Sequence, residues 1–100
     1  MTMPADPQSS PRAPVRVRLP AHLVRLFPDG ETLVEVVAGD VRQLMDALEA
    51  RWPGMRDRLC DERPAIRRHI NVFVNGRRAR LDTPLVPGAD VFILTAISGG

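Results

Sequence analysis

The chain contains no lysine and no tyrosine among its 100 residues, one cysteine (Cys60), one tryptophan (Trp52) and three phenylalanines. Each scarcity excludes something. A lone cysteine rules out an intrachain disulfide framework and a cysteine-built zinc cage. Without lysine, the α-amine of Met1 is the only amine open to acylation, so the chain is a poor acceptor of amine conjugates. No apolar run approaches the ~18 residues that span a bilayer, and no charged-then-apolar segment opens the chain as a signal peptide would. The expectation is therefore a single small cytoplasmic domain with no membrane partner. No phosphate-binding glycine loop is present. His22 and His69 lack a neighbouring acid or nucleophile, and no hydrolase pattern appears. The chain reads as a substrate of catalysts and not as a catalyst.

Charge is nearly balanced. Fourteen basic and twelve acidic residues give +2, and the sequence pI of about 9.9 arises because every basic residue is arginine. Ten prolines are many, and five of them (Pro4, Pro7, Pro11, Pro14, Pro20) fall early. Residues 1–14, rich in Pro, Ser and Ala with almost no large apolar side chain, cannot recover their ordering entropy by burial and read as a disordered arm.

From Val15 the pattern changes. Val15, Val17 and Leu19 alternate with Arg16 and Arg18, the period-two mark of a half-buried strand. A turn is expected at Pro28-Asp29-Gly30, and Thr32 to Val37 reads as a second strand. Asp40 then supplies an N-cap, with Gln43 three positions on completing a capping-box pattern. Val41, Leu44, Met45, Leu48 and Trp52 form one apolar stripe, opposite Arg42, Asp46, Glu49 and Arg51. Pro53-Gly54 ends this helix, and a short helical turn tucks Met55 and Leu59 beneath the domain. His69 to Asn75 alternates again, Asn75-Gly76 is a type I′ hairpin signal, Arg77 to Leu81 is the returning strand, and Val91 to Ala96 is the last. The order strand, strand, helix, strand, strand, strand predicts an α+β fold of the β-grasp (ubiquitin-like) roll type, a mixed sheet of four to five strands on one main helix.

The chain stops on Gly99-Gly100, a few residues past a strongly apolar strand. The expected division is an arm over 1–14, a β-grasp domain over 15–96 and a tail over 97–100. Glycine lacks a Cβ, so this tail extends freely, threads a narrow channel and leaves its terminal carboxylate open to attack. With a pKa of roughly 3.3–3.7 that carboxylate is ionised at neutral pH and is a poor electrophile, so chemistry there needs activation, most simply adenylation by ATP on a separate enzyme.

The stretch from Val15 to Gly100 resembles the MoaD/ThiS family of ubiquitin-like sulfur carriers. The matching segments are DVRQLMDALEARWPGMRDRL, RRHINVFVNGRRARL, the PGADV entry to the last strand and the ending VFILTAISGG. The resemblance implies a carrier whose Gly100 carboxylate is adenylated by a ubiquitin-activating-type enzyme and converted to a thiocarboxylate, whose sulfur passes to a biosynthetic acceptor enzyme. Gly99 and Ser98 would form the threading tail and Ile97 would seat its base. The chain itself would bind no cofactor; ATP belongs to the activating enzyme. Within the family, RRHINVFVNG is closest in look to the cysteine-biosynthesis carrier and its relatives. The molybdopterin synthase small subunit commonly carries proline before its Gly-Gly, where this chain has Thr95-Ala96-Ile97-Ser98. Two other readings share the tail: a ubiquitin-like modifier conjugated through Gly100, and an interaction module whose tail is idle.

If Ile70, Val72 and Val74 face the core, then Phe73, with Phe92 and Leu94, forms an apolar patch on the opposite sheet face, a candidate surface for docking the activating or acceptor enzyme. Arg63, Arg67, Arg68, Arg77, Arg78 and Arg80 lie in a stretch without any acid. Phe73 is the only aromatic among them and the whole chain is nearly neutral, so no nucleic-acid partner is expected. A docking surface for an acidic partner and a solvated strand edge are the other readings. Cys60, beside Leu59, reads as half-buried packing.

Overall fold

The computed structural model describes residues 13–63 and 65–95. Residues 1–12 of the expected arm, Ala96, and the tail residues Ile97, Ser98, Gly99 and Gly100 lie outside the described residues. Chain order is β1 (Val15–Arg18), α1 (Ala21–Val24), β2 (Leu33–Val36), α2 (Val41–Arg51), α3 (Met55–Leu59), β3 (Ile70–Val74), β4 (Arg77–Arg78) and β5 (Asp90–Thr95). The five strands make one mixed sheet ordered β2-β1-β5-β3-β4. β1 is antiparallel to β2 and parallel to β5, and β3 is antiparallel to both β5 and β4. This is the β-grasp arrangement, and it places β5, the strand that leads to the tail, at the centre.

Alternation decides which face is buried. Val15 and Val17 of β1, Val34 of β2, Ile70 and Val72 of β3, and Val91 and Ile93 of β5 are at most 5% exposed. The α2 stripe of Val41, Leu44, Met45 and Leu48 covers them, each of these four at 0%. Burying a side chain of this size contributes roughly 1.5–3 kcal/mol, so the helix is held chiefly by this stripe. Its start is fixed by the Asp40 carboxylate, which accepts from the Gln43 N–H at 2.7 Å. The reciprocal bond runs one residue earlier than the standard capping box: the Gln43 side-chain oxygen accepts from the Gly39 N–H at 2.7 Å. Met55 and Leu59 of α3 are fully buried, as expected.

β3 and the start of β5 fall within one residue of the expected bounds, and three other elements differ more from the sequence expectation. The 19–32 connection contains the short helix α1, whose Leu23 and Val24 join the core. The second strand is trimmed to Leu33–Val36. The returning strand stops at Arg78 instead of running to Leu81: Ala79 still donates to the Val72 carbonyl at 2.8 Å, but the Leu81 carbonyl turns away to accept from the Arg42 N–H of α2 at 2.9 Å. The hairpin turn is as expected, with φ of 50° at Asn75 and 86° at Gly76, the positive values that a type I′ turn requires.

Candidate docking face beside the carboxyl-terminal strand

Among the described residues nothing covers the face of the sheet opposite α2, and the strand registers bring one row of side chains together there across all five strands. Leu33 of β2 pairs with Arg18 of β1, Arg18 with Phe92 of β5, Phe92 with Phe73 of β3, and Phe73 with Arg78 of β4. The order Leu-Arg-Phe-Phe-Arg is not readable from any one strand, because it depends on β1 and β5 being adjacent and parallel. Each guanidinium lies over the neighbouring ring: Arg18 is 5.7 Å from the Phe92 centroid and Arg78 is 5.9 Å from that of Phe73. Such contacts orient the rings while leaving the cations in water, and each contributes about 0.5–1 kcal/mol at an exposed site.

Of the expected patch, Phe92 is 40% and Leu94 46% exposed, while Phe73 is half-buried by its neighbours. Leu94 lies in the adjacent row, paired with Asn71. Sequence reasoning missed Leu33, 45% exposed at the other end of the row; its one signal was the alternation of the second strand, which turns Leu33 away from the face that Val34 buries. A depression of about 330 Å³ beside Phe92, lined by Arg16, Arg18, Leu33, Asp90 and Val91, gives the face concave relief. One wall is pinned by Arg16 Nε donating to Asp90 Oδ1 at 2.9 Å, a bond that also holds the guanidinium protonated more firmly than usual. Asn75 braces Asp90 from the other side: its side-chain oxygen accepts from the Asp90 N–H at 2.9 Å, and its own N–H donates to the Asp90 carbonyl at 2.8 Å.

Leu94 and Thr95 end the described part of β5, one step from the tail. His22, passed over by the sequence reading, places Nε2 3.5 Å from Thr95 Oγ1 across 73 positions of chain. The site thus consists of an apolar, arginine-flanked face whose central strand leads to the tail. Cys60 does not contribute: it is 5% exposed, and burial pushes its thiol pKa up, away from the reactive thiolate. Among the described residues no cluster of His, Cys, Asp or Glu is arranged to hold a metal ion, and no helix is long and apolar enough to cross a membrane.

No curated protein matches the sequence significantly. Solved structures do. A chain of the BexX/CysO complex of Amycolatopsis orientalis is 32% identical, with a TM-score of 0.76 over 86% of this chain and 99% of that one. SAMP1 of Haloferax volcanii is 30% identical, with a TM-score of 0.72 over 88% of this chain and 100% of that one. CysO of Mycobacterium tuberculosis is 27% identical, with a TM-score of 0.74 over 83% and 99%. All three match nearly full-length, so the likeness is of whole domain to whole domain. The model of the ThiS family matches residues 17–100, from the first strand through the final glycine. With its β-grasp sheet and its match along the whole domain, the chain belongs to the ThiS family of ubiquitin-like sulfur carriers.

Proposed function

We propose that this protein carries sulfur on its own carboxyl terminus. Carriers of this family are substrates of enzymes. In the proposed cycle a separate activating enzyme presents ATP to the Gly100 carboxylate. A carboxylate oxygen attacks the α-phosphorus, pyrophosphate leaves, and an acyl-adenylate forms. Hydrosulfide, or a donor of equivalent oxidation level, then attacks the carbonyl carbon; the C–O bond to AMP breaks, and a thiocarboxylate remains. An acceptor enzyme takes that sulfur into a biosynthetic product. Gly99 and Ser98 thread the tail into both active sites and Ile97 seats its base. Phe73, Phe92 and Leu94 dock the domain against those enzymes.

The observation that carries this reading is that the family match extends through Gly99-Gly100. The open Phe92–Phe73 row on and beside the strand that precedes that tail supports it, since an exposed Phe92 backed by a half-buried Phe73 and flanked by arginines suits an anchor in a partner pocket. The matched chain from Amycolatopsis comes from a complex with a second protein, BexX, which fits a carrier that works by docking. A second reading has its own support: the Haloferax relative is named a small archaeal modifier protein, and conjugation through Gly100 would begin with the same activation.

ATP–pyrophosphate exchange by the activating enzyme tests the activation step. Exchange is expected to depend on the full chain and to vanish on deletion of Gly100. Phe92→Asp is expected to raise the KM for the carrier about tenfold or more while leaving kcat close to wild type, as loss of a docking anchor should. Exchange that persists without Gly100 would overturn the reading. Higher-mass adducts on other proteins, lost with Gly100, would favour the modifier.

A further inference from the structure

The arginine-rich stretch does more than decorate an edge. Four of its residues converge with Arg42 of α2 on a groove of about 590 Å³, at the fork where β3 and the chain after β4 part. Among the described residues, the fork leaves the Ile70 carbonyl and the Val72 N–H on this edge of β3 without a backbone partner, while the Val72 carbonyl and the Ile70 N–H are taken. The Val72 carbonyl, bonded to Ala79, faces this side of β3, and carbonyls two residues apart along a strand point the same way, so the Ile70 carbonyl faces it too. The Ile70 N–H, on the same side, donates to the Arg67 carbonyl at 2.9 Å. Beyond Ala79 no strand continues the ladder, so the edge of β3 over Ile70–Val72 opens into the groove.

The rim is strongly one-signed. Arg42, Arg67, Arg68, Arg78 and Arg80 line it, against the single carboxylate of Asp82. Asp82 lies 3.8 Å from Arg80 with both side chains mostly exposed, a pair worth little. Among the described residues the other four arginines have no carboxylate at ion-pair distance; Arg67 Nε donates to the Asp57 carbonyl at 2.6 Å and Arg78 lies over Phe73.

We propose that this groove receives an acidic, extended peptide segment of a partner protein, which adds beside Ile70–Val72 as a short strand and sets its carboxylates among the arginines. Main-chain bonds to a free strand edge supply affinity in this mode, and side-chain contacts supply choice of partner. Guanidinium groups suit carboxylates because both are planar and pair through two parallel hydrogen bonds. A charged edge ordinarily discourages strand addition; an edge charged with one sign discourages it selectively, repelling basic segments and attracting acidic ones. Single-stranded nucleic acid fits less well, because the groove offers no aromatic platform for a base. Arg78 belongs both to the groove and to the aromatic row, so one partner can cover both. The proposal stands on the groove alone and does not depend on what Gly100 carries.

The test titrates the ¹⁵N-labelled full chain with a blocked hexapeptide, Glu-Val-Glu-Val-Asp-Glu, with its Gln/Asn isostere, and with oligothymidylate. Amide shifts are expected at Ile70–Val72 and Ala79–Leu81. Binding of the isostere, and of the acidic peptide to the Arg68→Glu/Arg80→Glu double variant, is expected to be weaker by at least about tenfold. Both arginines are exposed, and an otherwise unchanged spectrum verifies the variant's fold. Equal binding by the isostere, indifference to the charge reversal, shifts confined to Phe92 and Leu94, or oligothymidylate binding as tightly at the same amides would each overturn the proposal.

Discussion

The Glu49 carboxylate accepts from the Gly54 N–H at 3.1 Å and from the Arg56 N–H at 3.0 Å, joining the end of α2 to the start of α3. These bonds favour its ionised form and hold its pKa below the usual glutamate range. A group whose pKa is lower folded than unfolded contributes stability above its unfolded value, and that contribution fades as pH falls through the folded one. Glu49→Gln is therefore expected to be less stable than wild type at neutral pH, with the gap narrowing as pH falls below about 4. Urea melts at pH 7 and pH 3 check this, and a gap that stayed constant would contradict it. Asp61, held down to about 2 first by the Arg63 side chain and then by backbone N–H bonds, loses its contribution in the acid range as well. It does so equally in both proteins, so their difference isolates Glu49.

Among the elements, α2 carries the most packing and was the most legible. Its stripe has a three- and four-residue period and its N-cap is local, so both are written within one segment. Leu48 is 0% exposed at the middle of that stripe, and Leu48→Ala is expected to cost about 2–5 kcal/mol by leaving a cavity. Chemical unfolding measures this, and a loss under 1 kcal/mol would mean the helix is not the main cover of the sheet. What was illegible has a common cause. The helix α1 has four residues and no side-chain cap, so its only determinant is the burial of Leu23 and Val24. The early end of β4 is imposed by Arg42, thirty-nine positions before Leu81 in the chain. Glu49 read as a solvent-facing polar residue, because the N–H groups it meets follow a Pro-Gly break. Alternation alone placed Phe73, Phe92 and Leu94 on the outer face, but their row with Leu33, Arg18 and Arg78 needed the strand order.

At the scale of the whole fold, the sheet of the described residues has one face sealed by helices and one face open, and β5, the strand before the tail in sequence, runs through the middle of both. A partner seated on the open face would therefore hold the domain at the strand that precedes, in sequence, the carboxyl group proposed to react. The absence of lysine fits the same plan, since an activated carboxyl terminus meets no side-chain amine on its own chain or on a second copy. The claim at the centre is that Gly100 is the reacting group. Intact-mass measurement after incubation with ATP, the activating enzyme and sulfide tests it most directly. A gain of about 16 Da, the exchange of one oxygen for sulfur, is predicted for the full chain and none for the chain lacking Gly100. An unchanged mass for the full chain, or the same gain without Gly100, would contradict the account.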